Sequence, residues 1–84
     1  MISQAYTVGT TATKIIDADE CWRTVYVHVI GNAKVYLGNS TVTTATGLPT
    51  EKSLPVTLEV PNGETVYAIV AADTEDVRVL RPSA

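Results

Sequence analysis

The sequence predicts an all-β fold, a small antiparallel β-sandwich or barrel of about seven short strands. Three observations carry that expectation. No segment places apolar residues at the 3.6-residue helical period. Valine and threonine dominate, and both are stiff at χ1 and suit a pleated surface better than a helix. Turn signals recur at short, fairly regular intervals, as sandwiches and barrels require.

A first strand is expected at residues 6–8, stopping at Gly9, and a second at 13–16, ending in Asp17-Ala18-Asp19-Glu20. The strongest is 22–30, where Val25, Val27 and Val29 share one face by the period of two. Gly31-Asn32 reads as its turn, and 35–37 as the returning arm of a hairpin. Residues 39–53 form a long hydroxyl-rich segment with room for one weak strand at 41–44. The next strand is 54–60, closed by Pro61-Asn62-Gly63, which combines a fixed φ with residues that tolerate positive φ. Residues 66–70 and 77–80 read as a last hairpin across 72–76. The 84 residues form a single domain, with 1–5 and 81–84 expected to be loose ends.

Two strands are apolar or aromatic on both faces. Tyr26, His28 and Ile30 lie opposite the valines of one, and Tyr67 and Ile69 lie opposite Val66, Ala68 and Val70 of the other. A sheet wet on one side shows polar residues there, so these read as central strands, or as strands with a tyrosine-bearing docking face.

Ordering so short a chain costs on the order of 130 kcal/mol, which apolar burial in a small domain only just offsets. The single cysteine, Cys21, excludes a disulfide within the monomer, and the single histidine, His28, leaves no zinc set. Association with itself or with something larger is the remaining source of stability. Six Lys/Arg against nine Asp/Glu give a net charge of −3, and no basic stripe interleaves with aromatics, so no nucleic-acid partner is expected. No apolar run suits a membrane partner, and the first residues lack the charged and apolar regions of a secretory signal.

No residue set points to catalysis. His28 lies mid-strand without a flanking nucleophile motif and reads as a structural or interfacial side chain. Cys21 beside Trp22 reads as a small buried hydrophobe, with Arg23 close enough to lower its pKa modestly. The acidic runs 17–20 and 73–76 read as solvated turns, and hold a cation only if the fold brings them together. Asn39-Ser40-Thr41 matches a glycosylation acceptor that stays inert in a protein that is not secreted. The expectation is a non-enzymatic protein with no catalytic residues, no metal and no cofactor.

Three segments resemble those of small head decoration or capsid accessory proteins of tailed bacteriophages. They are Arg23-Thr24-Val25-Tyr26-Val27-His28-Val29-Ile30-Gly31-Asn32, the run from Val35 through Tyr36-Leu37-Gly38-Asn39-Ser40-Thr41-Val42-Thr43-Thr44-Ala45-Thr46-Gly47-Leu48 to Pro49, and residues 66–72 leading to 76–80. The resemblance implies a virion structural protein, made in the host cytoplasm, that binds the outer surface of an assembled shell and cements it. Its partners would be the major capsid protein and itself, a trimer suiting the local three-fold positions of a capsid lattice. The alternative in another class is a small receptor- or carbohydrate-binding module on a tail or head fibre, for which Trp22 is the strongest sugar-stacking candidate. The expected contact surface is the hydroxyl segment Ser40, Thr41, Val42, Thr43 and Thr44, which would pair with a partner's strand edge, framed by Tyr26, Tyr36 and Tyr67.

Overall fold

The computed structural model describes residues 2–18 and 22–82, and among them there is no helix. Eight strands form: β1 (Ile2–Val8), β2 (Thr13–Ile16), β3 (Arg23–Val29), β4 (Val35–Gly38), β5 (Leu48–Thr50), β6 (Val56–Val60), β7 (Val66–Val70) and β8 (Glu75–Arg81). They make two four-stranded antiparallel sheets, ordered β1-β8-β3-β6 and β2-β7-β4-β5. Pairs β1–β8, β2–β7, β3–β6 and β4–β5 are the rungs of one long ribbon, and β8–β3 and β7–β4 are the seams where it rolls onto itself. This winding is a jelly roll, an all-β sandwich built on two Greek keys.

The core lies between the sheets and is almost entirely branched aliphatic. Val8, Val25, Val27, Val29, Val77 and Val79 project from the first sheet, facing Ile15, Ile16, Val35, Leu37, Ala68 and Val70 of the second. The period of two produces this directly: in β3 every odd residue from Arg23 to Val29 is buried, while Tyr26 and His28 face outward. The two strands that are apolar on both faces, β3 and β7, are indeed central in their sheets.

Pairing differs from the sequence expectation in a consistent way. The β3–β4 and β7–β8 hairpins do not exist, because in each case the two strands belong to different sheets. Gly31-Asn32 and residues 71–74 carry the chain across the sandwich instead of turning it back. A local turn signal marks a reversal but not the sheet that receives the next strand, and stacked sheets lie only about 10 Å apart. Among the described residues, the only consecutive strands paired within one sheet are β4 and β5.

Element boundaries shift for physical reasons. Residues 2–5, expected to be loose, belong to β1, which runs in unbroken register against β8 as far as Ile2 opposite Arg81. Arg81 is likewise the last residue of β8, while Met1, Ser83 and Ala84 lie outside the described residues. The weak strand expected at 41–44 is a pair of turns, and the strand of that segment is β5 instead. Its three residues contain Pro49, which hides it from any propensity reading.

Two charged groups are built into the interior. Arg23 is buried, and its Nη2 donates to the carbonyl oxygens of Asp17 and Glu64, the latter at 3.0 Å, tying the β2–β3 and β6–β7 connections to the start of β3. Glu75, whose sequence neighbourhood reads as a solvated acidic turn, is only 9% exposed. Its carboxylate accepts from the Ala33 amide at 2.8 Å and the Asp76 amide at 3.0 Å. The β3–β4 connection is thereby latched to the start of β8. Gly31 leaves room for the latch, because a Cβ at that position would overlap the carboxylate and push it aside.

Candidate binding surface

The sandwich opens at one corner. β5 and β6 are edge strands of opposite sheets, and between them the interior widens into a cleft of about 370 Å³. Leu37, Leu48, Leu58, Val60 and Val66 line it, with Asn39, Glu59 and Glu64 among the polar residues at its mouth. Leu48 sits opposite Leu37 in the β4–β5 register and therefore points toward the interior, yet it is 55% exposed. An inward-facing leucine left that open is only partly covered by the opposing sheet. The lining is apolar and the mouth is acidic, so the cleft suits an apolar side chain on a basic or neutral surface.

The β4–β5 connection stands over the same end of the sandwich, since it joins the end of β4 to the start of β5. It is a built loop. Asn39 Oδ1 accepts from the Thr41 amide at 3.0 Å and the Thr41 hydroxyl at 2.9 Å, an Asx turn. The Val42 amide donates to Asn39 O at 3.0 Å, and the Thr46 and Gly47 amides donate to Thr43 O at 3.2 and 2.9 Å. The Thr43 and Ala45 amides donate to the Thr46 and Thr43 hydroxyls at 3.2 and 3.3 Å, and those two hydroxyls lie 3.1 Å apart. Val42 fills the space beneath, 5% exposed, between Gly38 and Gly47. A Cβ at Gly38 would come within 2.7 Å of Val42 Cγ2, so the two glycines make room for the plug.

This geometry corrects the expected contact surface. Strand addition needs free backbone donors, and those of Thr41, Val42, Thr43, Ala45, Thr46 and Gly47 are engaged within the loop. Val42 is an anchor and not a contact residue. Ser40, Thr41, Thr43 and Thr44 are exposed and present the loop's outer surface. The three tyrosines do not frame one face. Tyr36 and Tyr67 lie half-buried on the outer face of the β2-β7-β4-β5 sheet, where Tyr36 is opposite Ile69 and Tyr67 opposite Gly38. Tyr26 lies on the outer face of the other sheet, 47% exposed, beside Leu80 and Thr57. Trp22 precedes β3 at the end of the sandwich that carries the cleft, and is 61% exposed.

The remaining candidates fall into structural roles or outside the described residues. His28 is exposed on the Tyr26 face and its Nε2 donates to the Lys52 carbonyl at 3.1 Å. Asp17 pairs with Lys14 at 2.9 Å, and its carboxylate raises the Lys14 pKa, first by the hydrogen bond and then by charge. Cys21, Asp19 and Glu20 lie outside the described residues. No group of three His, Cys, Asp or Glu side chains placed to hold a metal occurs among the described residues. Sequence reasoning missed Leu48 because Gly47-Leu48-Pro49 reads as a corner; its only signal was an apolar residue before a proline that breaks the hydroxyl pattern.

Comparison with protein-family models, curated proteins and solved structures returns no match.

Proposed function

We propose that this chain is a non-enzymatic binding protein of a tailed-phage virion that decorates the assembled head, docking on the major capsid protein through the open β5/β6 end. The observation that carries the docking is Leu48, turned toward the core but only partly covered, at the mouth of an apolar cleft. The hydroxyls of Ser40, Thr41 and Thr44 and the indole of Trp22 gather at the same end. Apolar anchor, polar rim and exposed aromatic are the parts from which protein interfaces are built. The assignment to a virion rests on the resemblance of the three segments. Jelly rolls recur in viral capsid and lectin domains, and that analogy of fold supports the reading without carrying it. Many copies on a symmetric shell add weak contacts into a cement, because whatever binds only the assembled state stabilises it by mass action.

Trp22 favours a second reading, a carbohydrate-binding module on a fibre, since an exposed indole is a ready platform for a sugar face. Location separates the two. Electron microscopy of the particle is expected to show hundreds of copies across the head surface; density confined to the tail or a fibre refutes decoration.

The docking site has its own test, with shells of the major capsid protein encoded alongside this chain. Leu48→Asp removes apolar burial worth about 1–2 kcal/mol and sets a carboxylate in the contact, so occupancy is expected to need at least about tenfold more protein. Unchanged occupancy places the contact elsewhere.

A further inference from the structure

The two sheets end in four edge strands: β1 and β6 in one, β2 and β5 in the other. An edge presents unpaired N–H and C=O groups, and sheets protect such edges with short strands, charge, proline or bulges. Three of these edges are protected. β2 has four residues, a register shift between Lys14 and Ile16, and the Lys14–Asp17 ion pair. β5 has three residues with Pro49 among them. β6 carries Glu59 and is bounded by Pro55 and Pro61. β1 has none of these devices. Its seven residues, Ile2-Ser3-Gln4-Ala5-Tyr6-Thr7-Val8, contain no charge, proline or glycine and hold an unbroken register with β8.

We propose that β1 is a self-association edge, through which two copies of this chain pair antiparallel about a two-fold axis at Ala5 and join their β1-β8-β3-β6 sheets into one of eight strands. The faces set the register. Ser3, Ala5 and Thr7 are exposed on the outer side, while Ile2, Gln4 and Tyr6 are half-buried toward the core. A continuous sheet sets outer residues opposite outer ones, and centring on Ala5 lets the whole strand pair. Ser3 then meets Thr7 of the second copy, Gln4 meets Tyr6 and Ile2 meets Val8. About six to eight backbone hydrogen bonds form, depending on which alternate residues point outward.

A second copy fits this edge because a two-fold pair sets each charge near its own kind, and β1 has no charge to repel. The nearest charge on the outer face beside the axis is Arg78, opposite Ala5 on β8. Its symmetry mate lies three strand spacings away, about 14 Å, beyond the roughly 8 Å over which charges act at physiological ionic strength. The pair leaves the β5/β6 opening free, since β1 and β6 are opposite edges of their sheet.

Sedimentation of the wild-type chain tests this directly. The mass is expected to rise from 9.0 kDa to twice that value between micromolar and millimolar concentration. Ala5→Glu keeps a favourable neighbour in Arg78 of its own chain but places two carboxylates at the axis, and is expected to weaken the dimer at least about tenfold. Mixing it with the Ala5→Lys variant restores a dimer. A thiol trap gives the register independently of those variants, in a Cys21→Ser background. Ala5→Cys is expected to oxidise to a cross-linked dimer, its Cα atoms meeting at about 4.5–5.5 Å. Ser3→Cys is expected not to, because its mate lies about 13 Å along the strand. A wild-type chain that stays monomeric at millimolar concentration, a mass of three chains, undiminished pairing in Ala5→Glu, or equal cross-linking at positions 3 and 5 overturns the proposal.

Discussion

Replacing Glu75 by alanine removes a latch that no local sequence pattern announces. The carboxylate is 9% exposed and accepts two backbone amides, Ala33 at 2.8 Å and Asp76 at 3.0 Å. Hydrogen bonds to charged groups contribute about 1.5–3 kcal/mol each, and the cost of holding a carboxylate in a largely dry site offsets part of that. Truncation also leaves the Ala33 amide without its acceptor. The net expectation is a loss of about 2–4 kcal/mol. In a domain of this size that lowers Tm by roughly 8–30 °C, at about 4–8 °C per kcal/mol. Thermal unfolding followed by circular dichroism reads the total, and hydrogen exchange at Ala33 reads the latch. Glu75→Gln, which keeps one acceptor oxygen, is expected to fall between. Gly31→Ala attacks the same contact from the other side, since the new Cβ displaces the carboxylate. The two substitutions share one interaction, so the double variant is expected to be clearly less destabilised than the sum. A Tm drop below about 3 °C with unchanged Ala33 protection, or strict additivity with Gly31→Ala, refutes the latch.

Val42→Ala empties the space beneath the β4–β5 loop and is expected to cost about 1–2 kcal/mol, with faster exchange at the Thr46 and Gly47 amides; denaturant melts and hydrogen exchange check it. Protection unchanged at both amides would mean that the loop's hydrogen bonds hold it without the plug. Trp22 emission is expected to be readily quenched by iodide in the free chain, given its 61% exposure, and shielded on bound shells. Equal quenching in both states removes Trp22 from the contact.

Alternation made the strands legible and left their partners hidden. In β3 and β8 the odd residues Val25, Val27, Val29, Val77 and Val79 are all buried, as a period of two requires. The destination of the chain beyond each strand has no comparable signal. Gly31-Asn32 and 71–74 carry ordinary turn residues, and nothing in them says whether the next strand lies beside the last or across the core. The packing of the whole set decides that, because four strands per sheet must cover each other's apolar faces. Glu75 shows the same limit at one residue. Its neighbours Asp73, Thr74 and Asp76 are exposed, so the run reads as solvent-facing, while strand parity sends Glu75 inward beneath Gly31.

Topology also explains why the hydroxyl segment stands out in the sequence. In a rolled ribbon the connections that cross between sheets are held to the span of the gap, and their ends are fixed by two layers. The β4–β5 loop is the tip of the ribbon and joins neighbours in one sheet, so no crossing constrains its length or composition. It is therefore the position in this fold most open to a surface shaped by something other than folding. The chain places there a loop that bonds six of its own amides and exposes Ser40, Thr41 and Thr44, over a cleft that the two sheets leave open. A loop selected only to turn the chain needs about two to five residues. The length beyond that, spent on internal hydrogen bonds and a buried valine plug, makes physical sense as the cost of holding Ser40, Thr41 and Thr44 in place for a partner.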